Sequence, residues 1–250
     1  EVLEVARGAD ITSQREAAEF AERMAHGAKF MTTSCCPSYV LAARRHVPEI
    51  LPFISETKTP MHYTAELARQ AVPETTTVFI GPCVAKRQEA LEDPLVDLVI
   101  TFEELGAIFE AAGILPADCE EAKLENIPSD AGRGYAITGG VASAVQQVAD
   151  TQRALAMDHQ EAGEGHLHTA TSEVLPGILS GPAPIAVRPV SVNGLSLSGL
   201  RTLKRYATGD CPGNLVEVMT CEGGCVGGAG VLGDKDKVTK AITAFSNRKG

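Results

Sequence analysis

The sequence predicts an α/β fold, two lobes of mainly parallel twisted sheet flanked by helices, and three observations predict it. Short β-branched or apolar runs alternate with helical patterns along the chain. The 44% of hydrophobic residues in 250 can supply a large core without disulfides. The cysteines gather where the runs end, and the carboxyl ends of parallel strands are where such folds build their crevice.

Taken in order, "SQREAAEFAERMAHG" reads as an amphipathic helix over 13–26, with Ala17, Phe20, Ala21 and Met24 as its buried stripe. The residues ahead of it read as the tail of a helix. "KFMTTS" (29–34) is the first strand, followed by a helix over 60–71. "TTTVFIGP" (75–82) and "DLVITF" (97–102) are rich in Val, Ile, Thr and Phe and read as two further strands. Helical patterns follow over 102–113 and 140–156, and "MDHQEAGEGHLHTATS" (157–172), without clear period, reads as a surface loop. "PIAVRPV" (184–190) and "LVEVMT" (215–220) complete the strands, with helices over 197–208 and 234–247.

The formal charge of −10 works against binding to nucleic acid or to an anionic membrane surface. No apolar run reaches membrane length, and the seven cysteines are an odd number without a secretory signal, which favours reduced thiols in a cytoplasmic setting. The chain starts at Glu1, so a preceding segment, with any targeting signal, is expected to be missing.

Cys35 and Cys36 follow the first strand, Cys83 follows "TVFIGP", and Cys221 follows "LVEVMT" with Cys225 four residues on. Four or five thiols thus meet at one crevice. Sulfur ligands on converging loops suit zinc or an iron–sulfur cluster, and the spacing is not that of paired zinc knuckles. Glycines in "CEGGCVGGAG" would let the backbone approach a cluster closely; the alternative is a tight turn with two buried cysteines. A phosphate loop is disfavoured because no Lys-Ser/Thr pair follows.

The segments "TSCCPSY", "GPCVAKRQE" and "EVMTCEGGC" resemble, in order, the three signature segments of the iron-only (FeFe) hydrogenase catalytic domain. The likeness runs from about Gly8 to Leu232. It implies that residues 1–250 form the H-cluster domain, with the cluster in the cleft between two lobes, and without its N-terminal segment or accessory iron–sulfur domains. It implies Cys36, Cys83, Cys221 and Cys225 as ligands of a 4Fe–4S cube, Cys225 also bridging a diiron unit that carries carbon monoxide, cyanide and an azadithiolate. Lys86 matches the lysine that holds a cyanide, with Glu89 orienting it, although alone it reads as a solvated lysine. Pro82 and Met219 match residues beside the cluster; Met219 at a strand end reads equally as core.

The resemblance also implies a role for the first of the paired cysteines, Cys35. With Cys36 on the cube, Cys35 faces the diiron unit as proton donor, since neighbours at an extended strand end project to opposite sides. Glu16, Glu19 and Arg23 read by periodicity as a solvated helix flank, but they align with the family's proton relay, as does Ser55 in "FISETKTP". Glu19 is expected to be the buried station, its pKa raised, with Glu16 and Arg23 nearer the surface.

Tyr39, Gly81, Glu222 and Met61 stand where the family usually has Trp, Met, Pro and Gln, which implies a divergent subgroup. Implied partners are protons and H2, a ferredoxin-like or other redox electron partner, and maturation proteins for the diiron unit. Two rival readings are a hydrogen sensor driving a signalling partner and a non-catalytic iron–sulfur assembly protein; Cys35 and the relay count against the second. Cys119, Cys211, His166 and His168 read as non-ligands, and His62 as packing.

Overall fold

The computed structural model describes residues 1–122, 124, 126–161 and 185–246. Its larger sheet is parallel, in the order β1 (Met31–Thr32), β5 (Leu215–Met219), β4 (Pro189–Asn193), and a second parallel sheet pairs β2 (Val78–Gly81) with β3 (Leu98–Thr101). β5 is central and buried at every position. Val216 and Val218 pack into a cluster with Phe30, Tyr39, Ile50 and Leu203, while Leu215 joins Phe20, Met31 and Val145. Parallel strands need cover on both faces, and here each face has its own core.

The cover comes from α1 (Ala6–Ala25) and α7 (Gly140–Glu161) on one side, and from α2 (Pro37–His46) and α8 (Leu197–Ala207) on the other. Pro37 opens α2 at a position where its missing N–H costs no helical hydrogen bond, which is why proline follows the paired cysteines. The smaller sheet leads into α4 (Lys86–Glu92) and α5 (Phe102–Ala112), and it packs near α3 (Pro60–Ala71). Thr101 and Glu104 form a reciprocal capping box that starts α5 directly from the end of β3. The short α6 (Asp130–Arg133) and α9 (Lys235–Ser246) close the remaining side.

Several boundaries differ from the sequence expectation. α1 begins at Ala6, so residues 1–4 are not the tail of a helix. α2 was not expected, and β4 lies at Pro189–Asn193 rather than over 184–190. α7 runs to Glu161, into the expected loop; the rest of that loop, with His166 and His168, lies outside the described residues. No helix among the described residues is long and apolar enough to cross a membrane.

Candidate metal centre

A cavity of about 510 Å³ lies between the two sheets, and Cys35, Cys36, Cys83, Cys221 and Cys225 all line it. Cys36 caps α2 just beyond β1, Cys83 comes after β2, and Cys221 and Cys225 lie beyond β5. Parallel strands bring their carboxyl ends to one edge, so residues far apart in sequence meet there. Burial pushes the Cys225 thiol up to about 12, the neighbouring Cys36 and Cys83 sulfurs add to the rise, and Lys86 opposes it. Burial raises Cys221 too, again helped by Cys36 and Cys83.

Two glycines let these loops close. A Cβ on Gly224, whose φ is +93°, would come 2.6 Å from the Ala136 carbonyl oxygen, and one on Gly228 would come 2.6 Å from that of Pro82. The Gly230 N–H donates to the Pro82 carbonyl at 2.9 Å, tying the Cys221–Cys225 loop to the Cys83 loop. Among the described residues no three Cys, His, Asp or Glu side chains close around a single ion. Four sulfurs spread around an apolar cavity fit a polynuclear iron–sulfur group better than one zinc ion.

Lys86, at the start of α4, is 8% exposed and lines the same cavity. Its Nζ donates to Glu89 Oε2 at 2.7 Å and to Thr59 Oγ1 at 3.1 Å, and Thr59 donates in turn to Glu89. A buried ammonium needs such partners, and two described contacts leave one of its three N–H donors for the cavity. Pro82 and Met219 line the wall, as does Met61. Glu89 faces a neighbouring surface groove instead.

The polar residues of α1 require a correction. Glu16, not Glu19, is the buried carboxyl: it is 0% exposed and lies one turn from both Thr12 and Phe20 on the inward face. Burial pushes its pKa from 4.5 to about 7, opposed chiefly by the Ser34 N–H, which donates to Oε1 at 3.1 Å. Its other oxygen, Oε2, has no hydrogen-bond partner among the described residues. Burial, and then the charge on Glu16, hold the Cys35 thiol well above its ordinary value.

Glu19 lies outward. Its carboxylate accepts from Ser55 Oγ at 2.6 Å, Glu56 N at 2.9 Å, Thr57 Oγ1 at 2.8 Å and Thr57 N at 3.2 Å, and pairs with Arg23 at 2.7 Å. Partial burial works to raise its pKa, but the Ser55 hydroxyl, the backbone donors and Arg23 outweigh it and hold the carboxyl below the ordinary value. Ser55, itself 5% exposed, bonds Glu19 directly and also works to lower the Glu16 pKa. The order from cavity to surface is therefore Cys35, Glu16, Ser55, Glu19, Arg23.

Two other carboxyl sites escaped sequence reasoning. Glu217 in β5 is 0% exposed, and burial pushes it to about 7 against the amides at the start of α7. An acidic residue inside the apolar strand "LVEVM" was the available signal. His62 is not simple packing: its Nδ1 lies 2.7 Å from Asp93 Oδ2. Cys119 is exposed, Cys211 packs against the Phe30 cluster, and neither lines the cavity.

Five cysteines lining one cavity between two parallel sheets place the chain among α/β proteins whose site fits an iron–sulfur group. Residues 1–229 match the family described as the iron only hydrogenase large subunit, C-terminal domain, and the chain belongs to that family. It is 28% identical over 269 residues to the periplasmic Fe hydrogenase large subunit of Nitratidesulfovibrio vulgaris, covering 94% of this chain and 62% of that one. It is 25% identical over 285 residues to narfl of Xenopus tropicalis, a cytosolic Fe–S cluster assembly factor, covering 94% of this chain and 55% of the relative. A variant of the FeFe-hydrogenase HydA1 from Chlamydomonas reinhardtii, solved in its apo form, superposes with a TM-score of 0.69 at 25% identity, over all of this chain and 74% of that one. The chain thus spans under two thirds of the length of these two curated relatives.

Proposed function

We propose that the chain holds an H-cluster and carries out reversible hydrogen chemistry, two protons and two electrons to H2. The observation that carries this reading is the fifth thiol. A cube needs four sulfurs, and Cys35 lines the same cavity as Cys36, Cys83, Cys221 and Cys225 with a polar path to the surface behind it. Those four would hold the 4Fe–4S cube, Cys225 bridging to the diiron unit, with Lys86 on a cyanide and Met219 and Pro82 packed alongside. When bound, the group supplies the redox chemistry of hydrogen and an amine that accepts or gives the proton.

The residues of the chain move that proton. Cys35, which lines the cavity beside the four ligand cysteines, exchanges the proton with the group seated there. Glu16, poised near pH 7, takes or gives a proton on Oε2. Ser55 donates to Glu19 and accepts in turn, and Arg23 holds Glu19 ionised at the outer end. Electrons arrive from a ferredoxin-like or other redox partner, and maturation proteins install the diiron unit in a cytoplasmic protein.

A second reading follows the assembly-factor relative: a protein that holds the cube alone. Infrared spectroscopy of the matured protein separates the two. Carbonyl and cyanide stretching bands together with H2 turnover are expected; a cube signal without those bands would leave the second reading standing. Bands with very slow turnover would point to the hydrogen sensor.

A further inference from the structure

The wall beside Cys35 carries one more polar group, on a residue outside the polar path along α1. Tyr135 sits in the turn Gly134–Ala136, lines the cavity and is 8% exposed. The Thr138 N–H donates to the Gly223 carbonyl at 3.0 Å, which pins the segment after this turn to the loop bearing Cys221 and Cys225. Tyr135 packs in one cluster with Ala9, Val141 and Met219, and Cys35 packs against that cluster; burial, the leading cause, holds the phenol's pKa well above 10. The phenol therefore keeps its proton and remains a donor.

Where that proton points depends on Ser13. The Ser13 hydroxyl on α1 lies 2.9 Å from the Ala9 carbonyl oxygen and 3.1 Å from the Tyr135 hydroxyl. It has one proton for two acceptors. If Ser13 donates to Ala9, Tyr135 can donate to Ser13. If Ser13 donates to Tyr135, the phenolic proton is released and the cavity is the open direction. A polar group in the cavity selects the second arrangement, because Ala9 loses only a helical back-bond while the group gains a donor.

We propose that Tyr135 is a hydrogen-bond donor to the group seated beside Cys35, with Ser13 only the competing partner of its hydroxyl, acting from the larger-sheet side while Lys86 acts from α4. This rests on the H-cluster reading above. It makes Tyr135 a cofactor-contacting residue that tunes the diiron ligands.

The test is infrared spectroscopy of the protein loaded with a synthetic diiron complex bearing carbonyl, cyanide and azadithiolate ligands. In Tyr135→Phe, which keeps the ring and its packing, the bands should persist with at least one resolved shift from wild type. In Ser13→Ala, which removes the competing acceptor, the bands should stay at wild-type positions. Superimposable spectra for wild type and Tyr135→Phe would overturn the inference, as would a shift in Ser13→Ala that matches the one in Tyr135→Phe. Absence of all bands from wild type would instead sink the H-cluster reading itself, and the inference with it.

Discussion

The inner and outer ends of the polar path along α1 hold the same residue type one helical turn apart, with opposite proton affinities. Glu16 has one oxygen without a partner among the described residues and a pKa pushed up to about 7. Glu19 has four hydrogen-bond contacts and a guanidinium, and it sits below its ordinary value. Desolvation dominates where donors are scarce and is outweighed where they are many. On the proton relay proposed above this difference is useful, since a carboxyl near pH 7 exchanges readily and a fixed carboxylate anchors the exit.

Breaking the inner end should have the largest effect. Glu16→Gln in the matured protein is expected to lower H2 turnover by about 10²- to 10⁴-fold while leaving the carbonyl and cyanide bands in place. Glu19→Gln is expected to lower turnover as well, by a smaller factor, because water can reach the partly exposed outer end. Wild-type turnover in Glu16→Gln, measured by H2 evolution with a chemical reductant, would remove the path from the mechanism.

The pH dependence of stability sharpens the same contrast. Burial raises Glu16 from 4.5 to about 7, so the unfolded chain loses this proton first. Its contribution is full below about pH 4.5 and is lost as pH climbs through 7, a change on the order of 3 kcal/mol. Glu217 adds a change of the same sign over the same window. Glu16→Gln should therefore flatten part of the fall seen in urea titrations between about pH 4.5 and 7, and leave the part due to Glu217. Glu19 has the opposite sign: its stabilisation is present above its unfolded pKa and is lost as pH falls through the lowered folded value. Glu19→Gln should lose stability at neutral pH and converge with wild type in acid; parallel curves for both variants would contradict the contrast.

The smallest effect is expected at the outermost residue. Arg23 is 21% exposed, bonds the Pro52 and Ile54 carbonyls and pairs with Glu19. Arg23→Gln should cost about 1 kcal/mol by urea denaturation, and less at high salt. A loss as large as that of a core truncation would mean that Arg23 anchors the fold rather than the path.

How far the sequence reaches is clearest in particular residues. The alternation of strand and helix patterns, the stripe residues Ala17, Phe20 and Met24, though not Ala21, which is only half-buried, and the addresses of the cysteines at strand ends were legible, because periodicity and strand termini are local properties of the chain. The likeness of "TSCCPSY", "GPCVAKRQE" and "EVMTCEGGC" to one family was legible for the same reason. Which glutamate of α1 is buried was not. Glu16 and Glu19 share one flank of the stripe, and although Glu16 stands one turn from Phe20, its complete burial follows only because Ser34, beyond β1, closes over it. The pairing of His62 with Asp93, the burial of Glu217 against the start of α7, and the contact of Ser13 with Tyr135 across 122 residues are likewise products of packing. Composition and spacing determined the family of elements and the sulfur chemistry; tertiary structure alone decided the protonation of the groups around it, because desolvation depends on what the rest of the chain brings near.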